Sequence, residues 1–294
     1  MPALNYAQQY SQALAQAYPY VLHFAALRST ENDSRYKWTG ANTIQIPSLS
    51  TTGRTDGDRD RITEATRNFD NTWEPKTLSN HRMWSTLVHP LDIDETNDVA
   101  SIQNITKVFN EEQKFPEMDA YLVSKLYADW TAADMSADTT AVTEDNILQI
   151  IDGYMEAMDE ANVPRNGRIM YLTPAINGIL KRAVERARTI MNGDANIKRA
   201  VESIDELQIE KVPSALMKTV YDFTTGYKPG AGAKQIRLFL AHPSAVITPE
   251  KYAFAQLDRP SALTNGKYYY FEESYDDTFM LNRRKDAIKF NIEA

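Results

Sequence analysis

Two acidic runs have the spacing of side chains that hold a hard cation. Asp56-Gly-Asp58-Arg-Asp60 and Asp92-Ile-Asp94-Glu-Thr-Asn-Asp98 each open like a calcium-binding loop, where alternate carboxylates supply oxygen ligands. Neither continues as one. The first has Arg61 at the sixth position, where glycine makes the turn, and Arg67 at the twelfth, where a bidentate glutamate belongs. The second has Asn97 and Gln103 at those positions. Both runs therefore read as solvated or interface carboxylates, and neither a metal site nor a cofactor is expected.

The loop Gly226-Tyr-Lys-Pro-Gly-Ala-Gly-Ala-Lys234 invites a phosphate-binding reading but lacks a Gly-Lys-Ser/Thr ending. A strand follows it rather than a helix whose N-terminus could hold a phosphate, so it reads as a flexible surface loop. The histidines, His23, His81, His89 and His242, never stand at the i, i+4 spacing of a helical metal pair. With no cysteine and no serine in a nucleophile elbow, no catalytic triad can be assembled from local sequence. Carboxylate pairs abound among 40 acidic residues and single out nothing. No catalytic residue is assigned.

The surrounding elements read as α+β, with helices and strands in irregular alternation. Tyr6 to Tyr18 forms an amphipathic helix with Tyr6, Tyr10 and Leu14 on one stripe, interrupted by Pro19. The apolar Val21–Leu27 that follows must bury against something, either a neighbouring subunit, as an arm, or its own domain. Asn42–Pro47 is strand-like, and Arg82–His89 returns as a second strand. Between them runs a long polar excursion in which large apolar residues are sparse. Such a stretch cannot build its own core, so it is expected to find its partner on another molecule. A helix starts at about Pro116, with Met118, Tyr121, Leu122, Lys125, Leu126 and Trp130 at helical spacing and Glu117 and Asp119 suited to its positive end. Ala132–Thr140 is a polar linker and the best domain boundary. Thr143 caps a second helix that ends before Asn162. Arg168–Leu172 is a strand, and Thr173-Pro174 opens a helix reaching about Ala187. Further strands are Glu206–Val212, Gln235–Ala241, a hairpin around Asn265-Gly266, Asp277–Leu281 and Asp286–Ile292.

Composition narrows the function classes. At 294 residues, 43% hydrophobic and 24% charged, the chain can build one large core or two intertwined ones. The absence of cysteine rules out disulfides and fits a reducing cytoplasm. No apolar run approaches the roughly 20 residues of a membrane span. The first basic residue is Arg28, so the charged opening of a secretory signal is missing. A net charge of −8 argues against tight electrostatic capture of nucleic acid, although an acidic wall can enclose DNA without gripping it.

Within the polar excursion, Arg54, Arg59 and Arg61 alternate with the acidic residues, which suits ion pairing across a subunit contact. Phe69 and Trp73 stand in Asn68-Phe-Asp-Asn-Thr-Trp-Glu-Pro75, which offers them little local burial. Aromatic anchors isolated among polar residues are the marks of interface hot spots, so both are expected to contact a second subunit. Core packing is the alternative for every tryptophan here.

The order of amphipathic arm, long extended loop, acidic turn and long helix resembles the major capsid proteins of tailed bacteriophages, particularly siphophages of Gram-positive hosts. The resemblance is carried by Leu91-Asp-Ile-Asp-Glu-Thr-Asn97, by Phe115-Pro-Glu-Met-Asp-Ala-Tyr-Leu-Val-Ser-Lys125 and by Tyr171-Leu-Thr-Pro174. Ala241-His-Pro-Ser-Ala-Val246 and the aromatic-acidic end from Tyr268 to Leu281 complete it. It implies an N-terminal arm over 1–35 and a first peripheral part over 36–142, with an extended loop at about 45–85 and a spine helix at about 116–131. An axial domain at 143–240 and a second peripheral part at 241–294 follow.

The function implied is that of a shell protein assembling with itself, as pentamers and hexamers, into the icosahedral head around double-stranded DNA. That DNA would be held without sequence-specific contacts. Portal protein and a separate scaffolding protein are implied partners, because the chain reaches its arm with no room for a cleaved scaffolding segment, unless it is already processed. Assembly would take place in the host cytoplasm, without a membrane, and the product would be the virion capsid. Some such shells are welded by lysine–asparagine bonds; residues 48–75 hold no lysine and only Lys76 lies near, so crosslinking is not expected. The alternatives are an encapsulin-like compartment and, more remotely, a cytoplasmic enzyme using a carboxylate site.

Overall fold

A computed structural model describes residues 20–28, 36–40, 42–54, 67–96, 101–192, 203–204 and 207–294. The expected Tyr6–Tyr18 helix, the expected interface residues Arg59 and Arg61, and the Asp56–Asp60 run lie outside these residues.

A short helix α1 (Ala25–Arg28) precedes strand β1 (Lys37–Trp38). Two nine-residue strands, β2 (Thr43–Thr51) and β3 (Phe69–Thr77), pair antiparallel from Thr43↔Thr77 to Thr51↔Phe69. Strand β4 (Asn80–Val88) leads into helices α2 (Pro90–Glu95) and α3 (Ile102–Phe109). A π-helical turn over Asn110–Lys114 joins α3 to the long helix α4 (Phe115–Ala132). Helix α5 (Ile147–Glu160), β5 (Ile169–Leu172), α6 (Pro174–Asn192), β6 (Ser203–Ile204) and β7 (Leu207–Lys211) follow. The rest is strand: β8 (Tyr221–Asp222), β9 (Lys228–Pro229), β10 (Ile236–Ala241), β11 (Val246–Ile247), β12 (Glu250–Asp258), β13 (Tyr268–Asp276), β14 (Phe279–Met280) and β15 (Ile288–Ile292).

The central sheet runs β15-β10-β5-β7-β6, with only β5 and β7 parallel. Successive side chains of a strand point to opposite faces, and here both faces are buried. Tyr171, Phe239, Ala241, Ile288 and Phe290 pack with Leu122, Leu126 and Trp130 of α4. Met170, Leu172, Leu238 and Leu240 pack instead with Ile147, Ile151 and Met158 of α5 and Ile176 and Leu180 of α6. A second sheet, β12-β13-β4, has the alternate residues of β4, from Asn80 to Thr86, half-buried, with Trp84 stacked on Phe109 at 3.8 Å.

Three expectations change in the structure. The long helix matches its expected span, but Pro116 does not open it, because a helical line already runs through α3 and the π turn. A proline inside a helix lacks a donor and crowds the preceding turn, and the wider π turn just before it accommodates both. Glu117 and Asp119 therefore sit at no free helix end. Glu117 pairs with Arg82 at 2.6 Å, and Asp119 is wholly buried. The helix expected to start at Thr143 starts at Ile147, and Asn146 accepts a hydrogen bond from the Thr143 N–H at 2.8 Å. The glycine-rich stretch lies at the surface, as expected, with Lys228, Pro229, Ala231, Gly232 and Lys234 exposed, but it is tied to the body. Its neighbours Phe223 and Tyr227 pack against the main core, and a Cβ at Gly230 would lie 2.8 Å from Val220.

The segment from Tyr20 to Arg28 docks on its own chain. Phe24 and Leu27 are fully buried, and the Phe24 ring lies 4.8 Å from Tyr171. The Tyr20 hydroxyl donates to Asp119 at 2.5 Å, and the His23 N–H donates to the same oxygen at 2.9 Å. Burial pushes the Asp119 carboxyl above its ordinary range, against the opposing pull of those hydrogen bonds. Its charged form thus costs stability at neutral pH, and that cost falls away as pH drops through the raised native value towards about 4. Asp119→Asn removes the titration. Wild type is therefore expected to gain stability relative to this variant between pH 7 and pH 4.5, measured by urea denaturation. An equal or opposite trend would exclude a buried titrating Asp119.

Candidate assembly interface

The polar excursion is a β-hairpin, and its register sorts its side chains. Paired residues share a face, so Ile44, Ile46 and Ser48 lie with Thr72, Glu74 and Lys76 on one side. Ile44 and Ile46 are buried there with Leu78, Ile247 and Phe279, rooting the hairpin in the body. The opposite face carries Pro47, Leu49, Phe69, Trp73 and Pro75. All five are exposed, with Leu49 at 56%, Phe69 at 52% and Trp73 at 45%. This face bears no charged side chain from Gln45 to Thr51 or from Phe69 to Thr77. Among the described residues β3 is also a free sheet edge, where Pro75 removes a donor that a stray strand could pair with.

Sequence reasoning singled out Phe69 and Trp73, and the register brings them together with three residues it missed. Leu49, Pro47 and Pro75 become visible only once Thr51↔Phe69 and Gln45↔Pro75 are known to pair. Arg54 is exposed at the far end of the hairpin. Arg67 lies over the Phe69 ring, 4.7 Å from its centroid. Of the other tryptophans, Trp130 belongs to the main core, Trp84 stacks on Phe109, and Trp38 lies under Lys251 at 4.3 Å.

Behind the hairpin, Asp277 ties three elements together from a buried position. Its Oδ2 accepts from the Ser79 N–H at 2.7 Å and the Ser79 hydroxyl at 3.1 Å, and its Oδ1 accepts from the Tyr121 hydroxyl at 2.8 Å. This joins the β3–β4 corner to the end of β13 and to α4. Lys76, on β3, donates to Asn282 of its own chain at 3.4 Å.

The described part of the acidic run after β4, Asp92 to Glu95, lies in helix α2. Asp92 accepts from the His89 N–H at 3.3 Å, and the His89 ring accepts from the Leu91 N–H at 3.1 Å, a reciprocal cap. Among the described residues, no group of three or more histidine, aspartate or glutamate side chains could hold a metal ion. A depression of about 380 Å³ over Gln103, Thr106, Lys107 and Phe115 carries one carboxylate, Glu111. Among the described residues, no helix is long and apolar enough to cross a membrane.

No protein-family model and no curated protein sequence matches this chain. Solved structures do match it. The mature capsid of bacteriophage PhiM1 superposes with a TM-score of 0.64 at 14% identity, over 85% of this chain and 81% of the phage chain. The capsid of cyanophage P-SCSP1u gives 0.63 at 13% identity, over 95% and 90%. The capsid of Ralstonia phage GP4 gives 0.56 at 9% identity, over 91% and 87%. At such identities the shared property is the path of the backbone, and it extends over most of each chain. The chain has the fold of phage capsid proteins.

Proposed function

We propose that this chain is the major capsid protein of a tailed phage, whose copies assemble into an icosahedral shell around double-stranded DNA. The observation that carries the reading is a hairpin rooted in a phage-capsid fold and exposing an uncharged apolar face. Exposed apolar patches of this kind mark contact surfaces. A second copy of the chain supplies the cover, with Leu49, Phe69 and Trp73 as anchors and Arg54, Arg59 and Arg61 as peripheral charges. Each contact is modest, and repetition around a closed shell makes the assembly stable.

In this reading the peripheral domain comprises 36–142 and 241–294, and the axial domain 143–240. The core beneath α5 and α6 supports an axial unit, since it draws only on residues from Val142 to Leu240, while the main core joins that unit to the peripheral parts through Tyr171 and Phe239. The arm is then the part of the chain ahead of Tyr20. Scaffolding and portal proteins are the expected assembly partners, and assembly takes place in the host cytoplasm. The net charge of −8 fits a wall that encloses DNA without binding it tightly. The role is mechanical rather than catalytic.

Expression with and without a scaffolding partner, followed by sedimentation and negative-stain microscopy, tests the proposal. Closed hollow particles are expected. A subunit that stays monomeric under every assembly condition overturns it, and particles filled with a cargo protein instead of nucleic acid identify a storage compartment.

A further inference from the structure

The hairpin reaches far from a narrow root. Nine residues at about 3.3 Å each span roughly 30 Å, so an error of about 10° at the root moves the tip by ~5 Å. Apolar anchors cannot tolerate such a displacement, and the buried root beneath Ile44 and Ile46 covers only the first part of the span. The turn Asn282–Lys285 touches both strands, level with this root at Glu74 and Lys76, which pair with Ile46 and Ile44, and further out at Leu49. The Asn282 amide donates to Glu74 at 2.9 Å and accepts from Lys76 at 3.4 Å, bridging two side chains on the body-facing side of β3. The Arg283 guanidinium donates to the Leu49 carbonyl of β2. The next two residues fasten the same turn to the body. Arg284 donates to the Ser244 carbonyl at 2.8 Å, Lys285 donates to the Ala133 carbonyl at 3.0 Å, and the Trp130 indole N–H donates to the Lys285 carbonyl at 3.2 Å.

We infer that this turn is a strut that fixes the angle of the hairpin, with Asn282 and Arg283 as its positioning residues. The two halves of the turn differ in the way a strut requires. Arg284 and Lys285 anchor to the end of α4 and to the β10–β11 link, while Asn282 and Arg283 hold the moving part through exposed polar contacts. Such contacts are individually weak, enough to bias an orientation without contributing much to folding. Several of them on both strands restrict the hairpin to one direction, and a better-placed partner can still displace them. The consequence for assembly rests on the reading that the hairpin reaches a second copy; the angular restraint itself does not.

The chain contains no cysteine, so Asn71→Cys on the hairpin and Glu156→Cys on α5 give two unique spin-label sites. Electron–electron distance measurements on the unassembled subunit then read the hairpin angle directly. The labelled protein is expected to give a narrow distribution. Adding Asn282→Ala and Arg283→Ala is expected to broaden it roughly twofold while circular dichroism and the melting temperature stay unchanged, since exposed contacts contribute little to folding. Arg283→Lys alone, which keeps a donor for the Leu49 carbonyl, is expected to leave it narrow. Equal widths in the parent and the double variant overturn the inference. Broadening that comes with loss of the folded signal also overturns it, since the turn is then part of the core. Because the distance is read before assembly, the result stands whether or not shells form.

Discussion

Replacing both Phe69 and Trp73 by alanine is expected to abolish or cripple shell formation and to leave the isolated subunit folded. The two rings stand on the open face of a hairpin, roughly half exposed, and contribute little to the core of their own chain. Truncating an interface hot spot typically costs about 2 kcal/mol or more, and here the loss recurs at every copy in the shell. Sedimentation and electron microscopy should show free subunits or fragile particles. Circular dichroism and the melting temperature of the unassembled protein should barely move. Unfolding of the isolated double variant would make these residues core and remove the hairpin from the shell contacts.

The largest expected effect on the subunit itself comes from Arg168→Met. Arg168 is fully buried at the start of β5. Its guanidinium donates to Asp159 at 2.6 Å, to the Val163 carbonyl at 2.6 Å and to the Pro164 carbonyl at 3.0 Å. It thus ties the loop after α5, at its Val163 and Pro164 carbonyls, and Asp159 in the last turn of that helix to the start of the central sheet's β5. Losing these charge-assisted hydrogen bonds of a buried guanidinium costs about 1.5–3 kcal/mol, which corresponds to a melting point lower by roughly 5 °C in a chain of this size. Arg165 provides the control, since it pairs with the other oxygen of the same carboxylate at 2.9 Å from an exposed position. Its replacement by alanine should cost at most about 1 kcal/mol. Similar losses for the two variants would contradict the assignment.

What the sequence could and could not show follows from where each element finds its partner. The long helix was legible because Leu122, Leu126 and Trp130 repeat at helical spacing against one core. Strand β3 was not, because no residue of Phe69–Thr77 is fully buried and the half-buried ones, Glu74 and Lys76, are charged, so it shows no apolar stripe facing a core. Its signal lies in pairing with Thr43–Thr51, not in its own pattern. For the same reason Phe69 and Trp73 stood out as isolated aromatics, whereas Leu49 joined them only through register. Helix α3 and the π turn were hidden by the polar run Asn110-Glu-Glu-Gln-Lys114 and by a proline that looks like a helix start. Phe24 and Leu27 announced that they needed burial without showing where. The aromatic partners of Phe24, Tyr171 and Phe239, lie far along the chain, and only the fold brings them together.

Whether the hairpin face is the contact that builds the shell can be read from a cryo-electron microscopy reconstruction of the assembled particle. A closed icosahedral shell is expected, in which the Pro47, Leu49, Phe69 and Trp73 face of every copy is buried against a second copy. A shell whose hairpin faces all lie open to solvent would contradict the assignment.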